Sequence, residues 1–201
     1  DTGDGVTYIG NMAFRDCTKL KSLTLGKNVT EIDDFAFYNC KNLESITFPD
    51  SVTTIGSDAF GQCNTLTSVT IPDTVTTVGN AAFYSCKNIE TATVGKGVTY
   101  VSAIFSCCTN LKSVTLPDSL TAIGGSSFYD CINLESVIMG KNITSLGSCV
   151  FRGCSALKSI VLPAALTTVE IEAFLGCTAL SDVYYGGTPE QWSNISIATR
   201  N

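Results

Sequence analysis

The 201-residue chain contains no histidine, one tryptophan and two methionines, and only 15% of its residues are charged. Without histidine, acid–base catalysis near neutral pH would fall to a carboxylate, a lysine or a cysteine, and none lies in a recognisable catalytic motif. Zinc needs ligands in spaced pairs, whereas Cys107 and Cys108 are adjacent. We therefore expect no enzyme activity, no catalytic residue, no metal and no cofactor.

The chain also lacks an excess of basic residues and a long apolar run. Its net charge is −6 and its pI is near 4.5, so it offers no basic face to nucleic acid or to an anionic membrane. No apolar run approaches the roughly 18 residues of a membrane span, and residues 1–5 lack the features of a signal peptide. We expect no nucleic-acid partner and no membrane insertion, with any signal peptide or anchor outside this chain.

A phenylalanine and a cysteine three residues apart recur through the whole chain. The eight pairs are Phe14/Cys17, Phe37/Cys40, Phe60/Cys63, Phe83/Cys86, Phe105/Cys108, Phe128/Cys131, Phe151/Cys154 and Phe174/Cys177. Consecutive pairs are 23 residues apart, except for one step of 22 between Phe83 and Phe105. Self-similarity at a period of about 20–29 residues is typical of a solenoid, in which each unit contacts only its neighbours.

Each repeat contains the pattern of one short strand. In the second full unit, Ile46 and Phe48 have the period-2 spacing of inward-facing strand residues, while Ser45 and Thr47 face out. A Pro or Gly then ends the strand. The following Ala59–Leu66 segment has apolar spacings that predict a helical turn on the outer side. We predict one parallel sheet with one strand per repeat, and a distorted outer turn in the shortened fifth repeat.

These residues resemble those of a known family. The pattern Leu20-x-x-Leu23-x-Leu25 recurs from Leu43, Leu66, Leu111 and Leu134 and is similar to the strand segment of a leucine-rich repeat. The Val-Thr-x-Ile-Gly stretch and the Ala-Phe-x-x-Cys signature resemble the BspA-like leucine-rich repeats of surface proteins. The resemblance implies an α/β repeat solenoid: a right-handed superhelix with short parallel strands on the concave face and helical turns or loops on the convex face.

The repeats predict a single domain. Residues 1–201 would form one array of about eight repeats of 22–23 residues, with a capping segment at about 186–201. In that segment Thr188, Pro189 and Gln191 have the pattern of a helix start with a capping box, and Trp192 would cover the last repeat. We expect a monomer. Because the chain begins inside a repeat, we also expect it to be the C-terminal part of a longer protein.

The repeated cysteines and charges have structural explanations. Equivalent positions stack at the inter-strand spacing of roughly 4.8 Å, so the repeat cysteines predict a buried column of free thiols. Charged positions mostly alternate in sign between neighbouring repeats, which predicts cross-strand ion pairs. Asp50 lies beside Asp73, but two carboxylates fall short of the six to eight oxygen ligands that Ca²⁺ takes. We expect no metal site there.

The outward-facing strand residues are the best candidates for binding. They form a strip of Ser and Thr that becomes apolar toward the C-terminus, where we place a site at Ser113, Thr115, Ser136, Ile138, Ser159, Val161 and Tyr184. Ser and Thr also suit a strand face that only contacts water. Tyr38, Tyr84 and Tyr129 on the outer side are an alternative site.

The family resemblance implies an extracellular or cell-surface binding module for a protein or a glycan, including adhesion to host or matrix. The alternative is a structural spacer, a repeat region of a larger surface protein that has no ligand of its own. The repeats themselves specify no ligand.

Overall fold

Two short strands occupy each turn of the solenoid in the computed structural model, which describes residues 3–201. The longer series comprises β2 (Ser22–Thr24), β4 (Ser45–Thr47), β6 (Ser68–Thr70), β8 (Thr91–Thr93), β10 (Ser113–Thr115), β12 (Ser136–Ile138), β14 (Ser159–Leu162) and β16 (Asp182–Tyr185). The shorter series comprises β1 (Tyr8–Ile9), β3 (Glu31–Ile32), β5 (Thr54–Ile55), β7 (Thr77–Val78), β9 (Tyr100–Val101), β11 (Ala122–Ile123), β13 (Ser145–Leu146), β15 (Thr168–Val169) and β17 (Ser196–Ile197). A five-residue helix, α1 (Pro189–Ser193), lies between β16 and β17.

Paired strands lie parallel, each beside its equivalent in a neighbouring turn. Residues one repeat apart are in register, as in Ile9 with Ile32 and Val114 with Val137. The long-strand ladder is interrupted between β4 and β6 and between β12 and β14, and the short-strand ladder between β7 and β9. These interruptions fall at different places along the array. Each pair of neighbouring turns therefore keeps at least one continuous ladder.

The second strand of each turn was missed in the sequence because it is only two residues long. Its backbone is extended beyond those residues: the N–H of Thr53 donates to the carbonyl of Thr30 at 2.9 Å, and the N–H of Gly56 donates to that of Ile32 at 2.7 Å. The expectation of one strand per repeat was wrong for this reason. The turn carries two ladders, and only the longer one has an alternating pattern that can be seen in the sequence.

The outer segment of each turn contains no α-helix, so the predicted helical turn at 59–66 and the α/β class are corrected. Alternate backbone N–H groups donate to the next turn, as Phe60 does to the carbonyl of Ala82 at 2.8 Å. The groups between them donate three residues back, as Cys63 does to Phe60 at 3.3 Å. Because half of the donors leave the segment, the i to i−4 bonds of an α-helix cannot form. The fold is a parallel β-solenoid of about eight turns.

Positive φ angles recur at two positions of every outer segment. The first column is Met12, Phe35, Asp58, Ala81, Ala103, Ser126, Cys149 and Glu172, and the second is Asp16, Asn39, Gln62, Ser85, Cys107, Asp130, Gly153 and Gly176. Only the last two members are glycine, the residue that adopts this conformation without strain. A left-handed residue every four positions interrupts any right-handed helix, and inter-turn hydrogen bonds hold the strained conformation.

The phenylalanine column forms the centre of the core. Neighbouring rings stack with centroids 5.1–6.1 Å apart, and the six from Phe37 to Phe151 are fully buried. The interplanar angles are largest on either side of Phe105, at 23° and 25°. This ring belongs to the shortened repeat, which lacks the glycine that follows the short strand in most other turns, as after Ile55 and Val78. The irregularity lies in this stacking and in the interruption between β7 and β9, whereas the outer turn, which was expected to be distorted, keeps its hydrogen bonds to the next turn, as from Phe105 N–H to the Ser127 carbonyl at 2.9 Å.

The interior cysteines of the repeat form the predicted buried column, whereas Cys17 in the first turn is exposed, and each interior thiol also has a hydrogen-bond partner. Cys40, Cys63, Cys86, Cys131 and Cys154 are buried, and all ten cysteines are free. In the interior turns the thiol lies 3.0–3.3 Å from the carbonyl oxygen of the phenylalanine of the preceding turn. Burial raises the pKa of the Cys40 thiol to about 11 and that of Cys86 well above its ordinary value. These thiols are structural and not nucleophilic.

Close packing against the preceding turn requires glycine after two of the interior long strands, at Gly95 and Gly140. A Cβ added at Gly95 would lie 2.1 Å from the carbonyl oxygen of Pro72, and one at Gly140 would lie 1.9 Å from that of Pro117. Glycine is required here for space, since neither residue has a positive φ. The next residue is a lysine that pairs with the aspartate of the preceding turn, as Lys96 does with Asp73 at 3.1 Å. The predicted alternation of charge is thus confirmed for these pairs.

The segment after β16 covers only part of the last turn. Thr188 and Gln191 form the predicted capping box at the start of α1, and the ring of Trp192 lies 5.4 Å from that of Tyr185. Strand β17 pairs with β15, but Trp192 remains 39% exposed and Val183 of β16 is 49% exposed. Within residues 3–201, no helix has the length and apolarity needed to cross a membrane.

Candidate functional site

The residues predicted to bind lie on one face of the solenoid, formed by β10, β12, β14 and β16. We call the outward-facing residues of these strands the strip. Its members are Ser113, Thr115, Ser136, Ile138, Ser159, Val161 and Tyr184. Thr115 aligns with Ile138, and Val161 aligns with Tyr184. The strip thus has two parts on the long-strand face, one on β10 and β12 and one on β14 and β16. No ladder of backbone hydrogen bonds joins the two parts.

The C-terminal half of the strip is the apolar part of this face. Ile138, Val161 and Tyr184 are 60%, 59% and 57% exposed. The equivalent residue of each of the five preceding turns is threonine, from Thr24 to Thr115. Three neighbouring turns thus expose large apolar side chains where the others expose a hydroxyl. Removal of such side chains from water lowers the free energy of the complex, so this half of the strip is the better candidate for binding.

An open groove adjoins the apolar half at the interruption between β12 and β14. Its volume is about 490 Å³. Its walls are Val137, Ile138, Met139, Lys141, Val161, Leu162, Pro163, Ala164 and Gly186. Two strip residues, Ile138 and Val161, form one wall, and the other lining residues come mainly from the strand ends and the turns that follow. The alternating pattern of the strands does not predict this groove, because that pattern shows only which side chains point out of an uninterrupted sheet.

The last inward residue of the long strand changes type before both interruptions of the ladder. The last inward position of the strand segment holds Phe48 before the first interruption and Met139 before the second, whereas the intervening turns hold Ile71, Val94 and Leu116. The ring of Phe48 packs edge-on against Phe60 of the next turn, with centroids 5.5 Å apart. The change from a branched aliphatic residue to Phe or Met is the sequence feature that accompanies both interruptions.

The groove at the first interruption has a different chemistry. Its volume is about 520 Å³, and its lining is Ile46, Thr47, Phe48, Asp50, Ser68, Thr70, Pro72 and Asp73. Asp50 and Asp73 both border it, and the pKa of Asp73 is lowered chiefly by the hydrogen bond that it accepts from the Lys96 backbone. Within residues 3–201, no group of three or more His, Cys, Asp or Glu side chains could hold a metal ion.

Lys141, the charged residue that lines the apolar groove, forms an ion pair with Asp118 of the preceding turn. Lys141 Nζ lies 2.8 Å from Asp118 Oδ2, and the Lys141 backbone N–H donates to Asp118 Oδ1 at 3.0 Å. These contacts lower the pKa of Asp118 and raise that of Lys141. The site has no titratable residue placed as an acid–base pair. Its surface can bind through apolar contact and hydroxyl hydrogen bonds.

The outer tyrosines named as an alternative site contact their own neighbours. Tyr38 Oη accepts a hydrogen bond from Gln62 at 2.6 Å, and the guanidinium of Arg15 lies 5.1 Å from the centre of the Tyr38 ring. Arg152 lies over the ring of Tyr129 at 5.8 Å. These contacts stabilise the outer surface. Tyr184 is more exposed than any of these partly buried rings.

The matches to known proteins agree with this geometry. The family model described as BspA type leucine rich repeat region matches residues 2–104 and 101–198, with six copies. The chain belongs to this family. Its resemblance to the BspA-like repeats is thereby confirmed over nearly the whole length.

Two solved structures extend the comparison. A leucine-rich repeat protein from Bacteroides ovatus is 27% identical with a TM-score of 0.80, over 92% of this chain and 54% of that one. The Treponema pallidum leucine-rich repeat protein is 28% identical with a TM-score of 0.70, over 76% of this chain and 72% of that one. The chain thus spans about half the length of the Bacteroides ovatus protein. No curated protein matches the sequence.

Proposed function

We propose that this chain is a non-enzymatic repeat module that binds a protein partner through the apolar half of the strip, as part of a cell-surface or secreted protein. The observation that supports this most strongly is the run of Ile138, Val161 and Tyr184, each more than half exposed, beside an open groove. Membership of the BspA-type family supports a role in interaction, since solenoids present extended surfaces for partners.

A protein is favoured over a glycan by the chemistry of the groove. Two aliphatic side chains, Ile138 and Val161, lie on its wall, and Leu162 and Pro163 extend the apolar lining. An apolar side chain of a protein partner would be desolvated there, with Tyr184 as an aromatic anchor at the end. A glycan would depend instead on Tyr184 and the strip hydroxyls. Adhesion to host or matrix is the biological form that this binding would take.

The test is a binding screen of residues 1–201 against extracellular matrix proteins and a glycan array. Tyr184→Ala and Ser136→Arg should each abolish binding to any protein that is captured. Tyr100→Ala and Ser68→Arg are the matched controls: Tyr100 is 53% exposed on the short-strand face, and Ser68 occupies the Ser136 position three turns earlier. These controls should bind as the parent does.

Two results would count against the proposal. Binding that survives both strip substitutions would move the site away from the long-strand face, with the outer Tyr38 side as the next surface to vary. No binding to any protein or glycan would favour the alternative, in which the array is a spacer and its apolar positions have no partner. Glycan capture that depends on Tyr184 alone would change the class of ligand.

A further inference from the structure

The last long strand, β16, has a partner on one edge only. It pairs with β14, and among residues 3–201 no strand pairs with its other edge. In interior turns the residue that follows the strand donates its N–H to the next turn, as Val94 does to Thr115 at 3.0 Å and Leu116 does to Ile138 at 2.9 Å. Tyr185 has the same repeat position. Its N–H therefore faces the place that a ninth long strand would take.

An apolar floor accompanies this free edge. The inward side chain of β16, Val183, is 49% exposed, whereas the equivalent Val114 and Ile160 are 2% exposed. Phe174, Cys177 and Leu180 of the same turn are only partly buried. An open groove of about 340 Å³ lies on this end, lined by Phe174, Leu175, Gly176, Cys177, Thr178, Arg200 and Asn201. A strand added to β16 would bury Val183.

A complete further turn does not fit on this end. Strand β17 already pairs with β15, with Val169 beside Ile197, and so occupies the place of a ninth short strand. Trp192 lies against Tyr185 at the corner between the two series. Stacking another solenoid, including a second copy of this chain, would need the place that β17 holds. A single extended strand needs only the vacant place beside β16.

The edge also lacks three features that protect strand edges in other proteins. Such edges are commonly blocked by Lys, Pro or a bulge, and the segment Asp182–Tyr185 contains none of these. An incoming strand in register would place an apolar side chain against Val183. Its outward residues would lie beside Asp182 and Tyr184. A cation at the first of them would complement the Asp182 carboxylate and the net charge of −6.

We propose that the free edge of β16 is a docking site for one extended segment of a partner protein, which adds to the sheet as a ninth strand. The segment carries an apolar residue that faces Val183 and a cationic residue beside Asp182. This is strand addition, a recognition mode in which backbone hydrogen bonds supply affinity and alternate side chains supply specificity. The edge binds through the backbone and Val183, whereas the strip binds through outward side chains, and Tyr184 borders both.

The chain's own sequence supplies a probe. A capped peptide of residues 155–164 contains β14, whose Ser159, Ile160 and Val161 pair with Asp182, Val183 and Tyr184 in the array. Added to the free edge in the same register, it would place Ile160 against Val183. A second peptide with Ser159→Lys places a cation beside Asp182, and a third with Ser159→Glu reverses the charge.

Binding is followed by NMR titration of the labelled chain. We expect shifts centred on residues 182–185, slower exchange of the Tyr185 amide, and the affinity order Lys over Ser over Glu at position 159. Val183→Asp should weaken binding about tenfold, with Val183→Ala as a milder variant. The control Thr93→Asp, at an exposed outward position of β8, should bind the peptides unchanged, and Val161→Asp, 59% exposed on β14, tests whether the peptides bind the strip instead.

Backbone pairing is tested with two N-methylated peptides. In the bound peptide, the backbone N–H of Val161 would donate to β16, because the equivalent residues of the array donate to the preceding turn. The backbone N–H of the peptide's Ile160 would point away from β16. N-methylation at Val161 should abolish binding, and N-methylation at Ile160 should leave most of it. No binding of any peptide, equal effects of the two methylations, or loss with Val161→Asp but not with Val183→Asp would overturn the proposal. The last result would place the peptide on the strip instead.

Discussion

Interior turns and the two ends of the array carry the same residue types in different environments. Val114 is 2% exposed and Val183 is 49% exposed, although both are the inward valine of a long strand. Cys86 is buried and Cys17 is exposed, although both follow the repeat phenylalanine. Burial is therefore decided by the neighbouring turns and not by the repeat sequence. A turn gains its stability from the two turns that cover it.

The backbone shows the opposite behaviour. The first positive-φ column has φ values of 57° at Met12, 58° at Ala81 and 59° at Glu172, so the first, an interior and the last turn share one conformation. Changes to side chains should then have effects that depend on position along the array. Changes to the backbone conformation should have the same effect everywhere. The predictions below test both halves of this statement.

The largest effect is expected from alkaline pH, which acts on the interior thiols together. An unfolded chain ionises its thiols near the ordinary pKa of 9.0, while burial raises the pKa of Cys40 to about 11 and that of Cys86 further. Above pH 9 the folded state therefore holds more protons than the unfolded state. Each such thiol removes about 1.4 kcal/mol of stability per pH unit until its folded pKa is reached. Stability is complete below pH 9, and the array should unfold between about pH 9 and 11.

The measurement is the urea midpoint at pH 7, 9 and 10, followed by circular dichroism. Replacing Cys86 and Cys108 by Ala should flatten the decline, whereas Cys17→Ala at the exposed end should leave it unchanged. At pH 7 a thiol reagent should label Cys17 rapidly and the interior column only after unfolding. Equal flattening by Cys17→Ala would contradict the difference between interior and end.

The next effect concerns the phenylalanine column. Phe105 is fully buried, and Phe174 in the last turn is only partly buried. Phe105→Ala should lower the free energy of unfolding by about 3–5 kcal/mol, because it leaves a cavity between two stacked rings. Phe174→Ala should cost about half as much. Denaturant unfolding of both variants checks this, and equal losses would mean that the ends are as well packed as the centre.

A smaller effect is expected from the glycines that end the long strands. A Cβ at Gly95 would lie 2.1 Å from the Pro72 carbonyl oxygen, whereas one at Gly186 in the last turn would have its nearest contact at 3.4 Å. Gly95→Ala should destabilise the array by about 1–3 kcal/mol through forced separation of two turns. Gly186→Ala should change stability by less than about 0.5 kcal/mol. A tolerated Gly95→Ala would show that neighbouring turns can separate without cost.

The period of the sequence was sufficient to predict the solenoid, the long strands and the buried phenylalanine and cysteine columns. A fixed repeat aligns equivalent residues, and alternation shows which face is buried. The short strands and the non-helical outer segment could not be obtained in this way. Ala59, Phe60 and Cys63 have spacings that fit a helix, and the competing hydrogen bonds to the next turn depend on contacts between repeats.

The candidate site was predictable in part for the same reason. Ile138, Val161 and Tyr184 could be placed on one face because they replace threonine in the repeat. The groove beside them depends on the interruption between β12 and β14, which the alternating pattern of the strands does not show. The free edge of β16 was not predicted, because the capping segment was expected to cover the whole last turn. The sequence predicted that residues 186–201 cover the end, but not that β17 pairs with β15 while, within residues 3–201, no strand pairs with the outer edge of β16.

The smallest predicted effect tests the backbone half of the comparison. Ala81 has a φ of 58° and Met12 has a φ of 57°, so glycine at either position would relieve left-handed strain of about 1–2 kcal/mol. The entropy of the unfolded glycine offsets roughly 0.5–1 kcal/mol of that gain. Ala81→Gly and Met12→Gly should therefore both raise stability by about 0.5 kcal/mol, in an interior turn and in the first turn alike.

The adjacent Ala82 is fully buried without a positive φ, and Ala82→Gly should lower stability by about 1 kcal/mol. Thermal unfolding of the three variants measures these differences, and opposite signs for Ala81→Gly and Met12→Gly would show that the backbone, like burial, changes toward the ends.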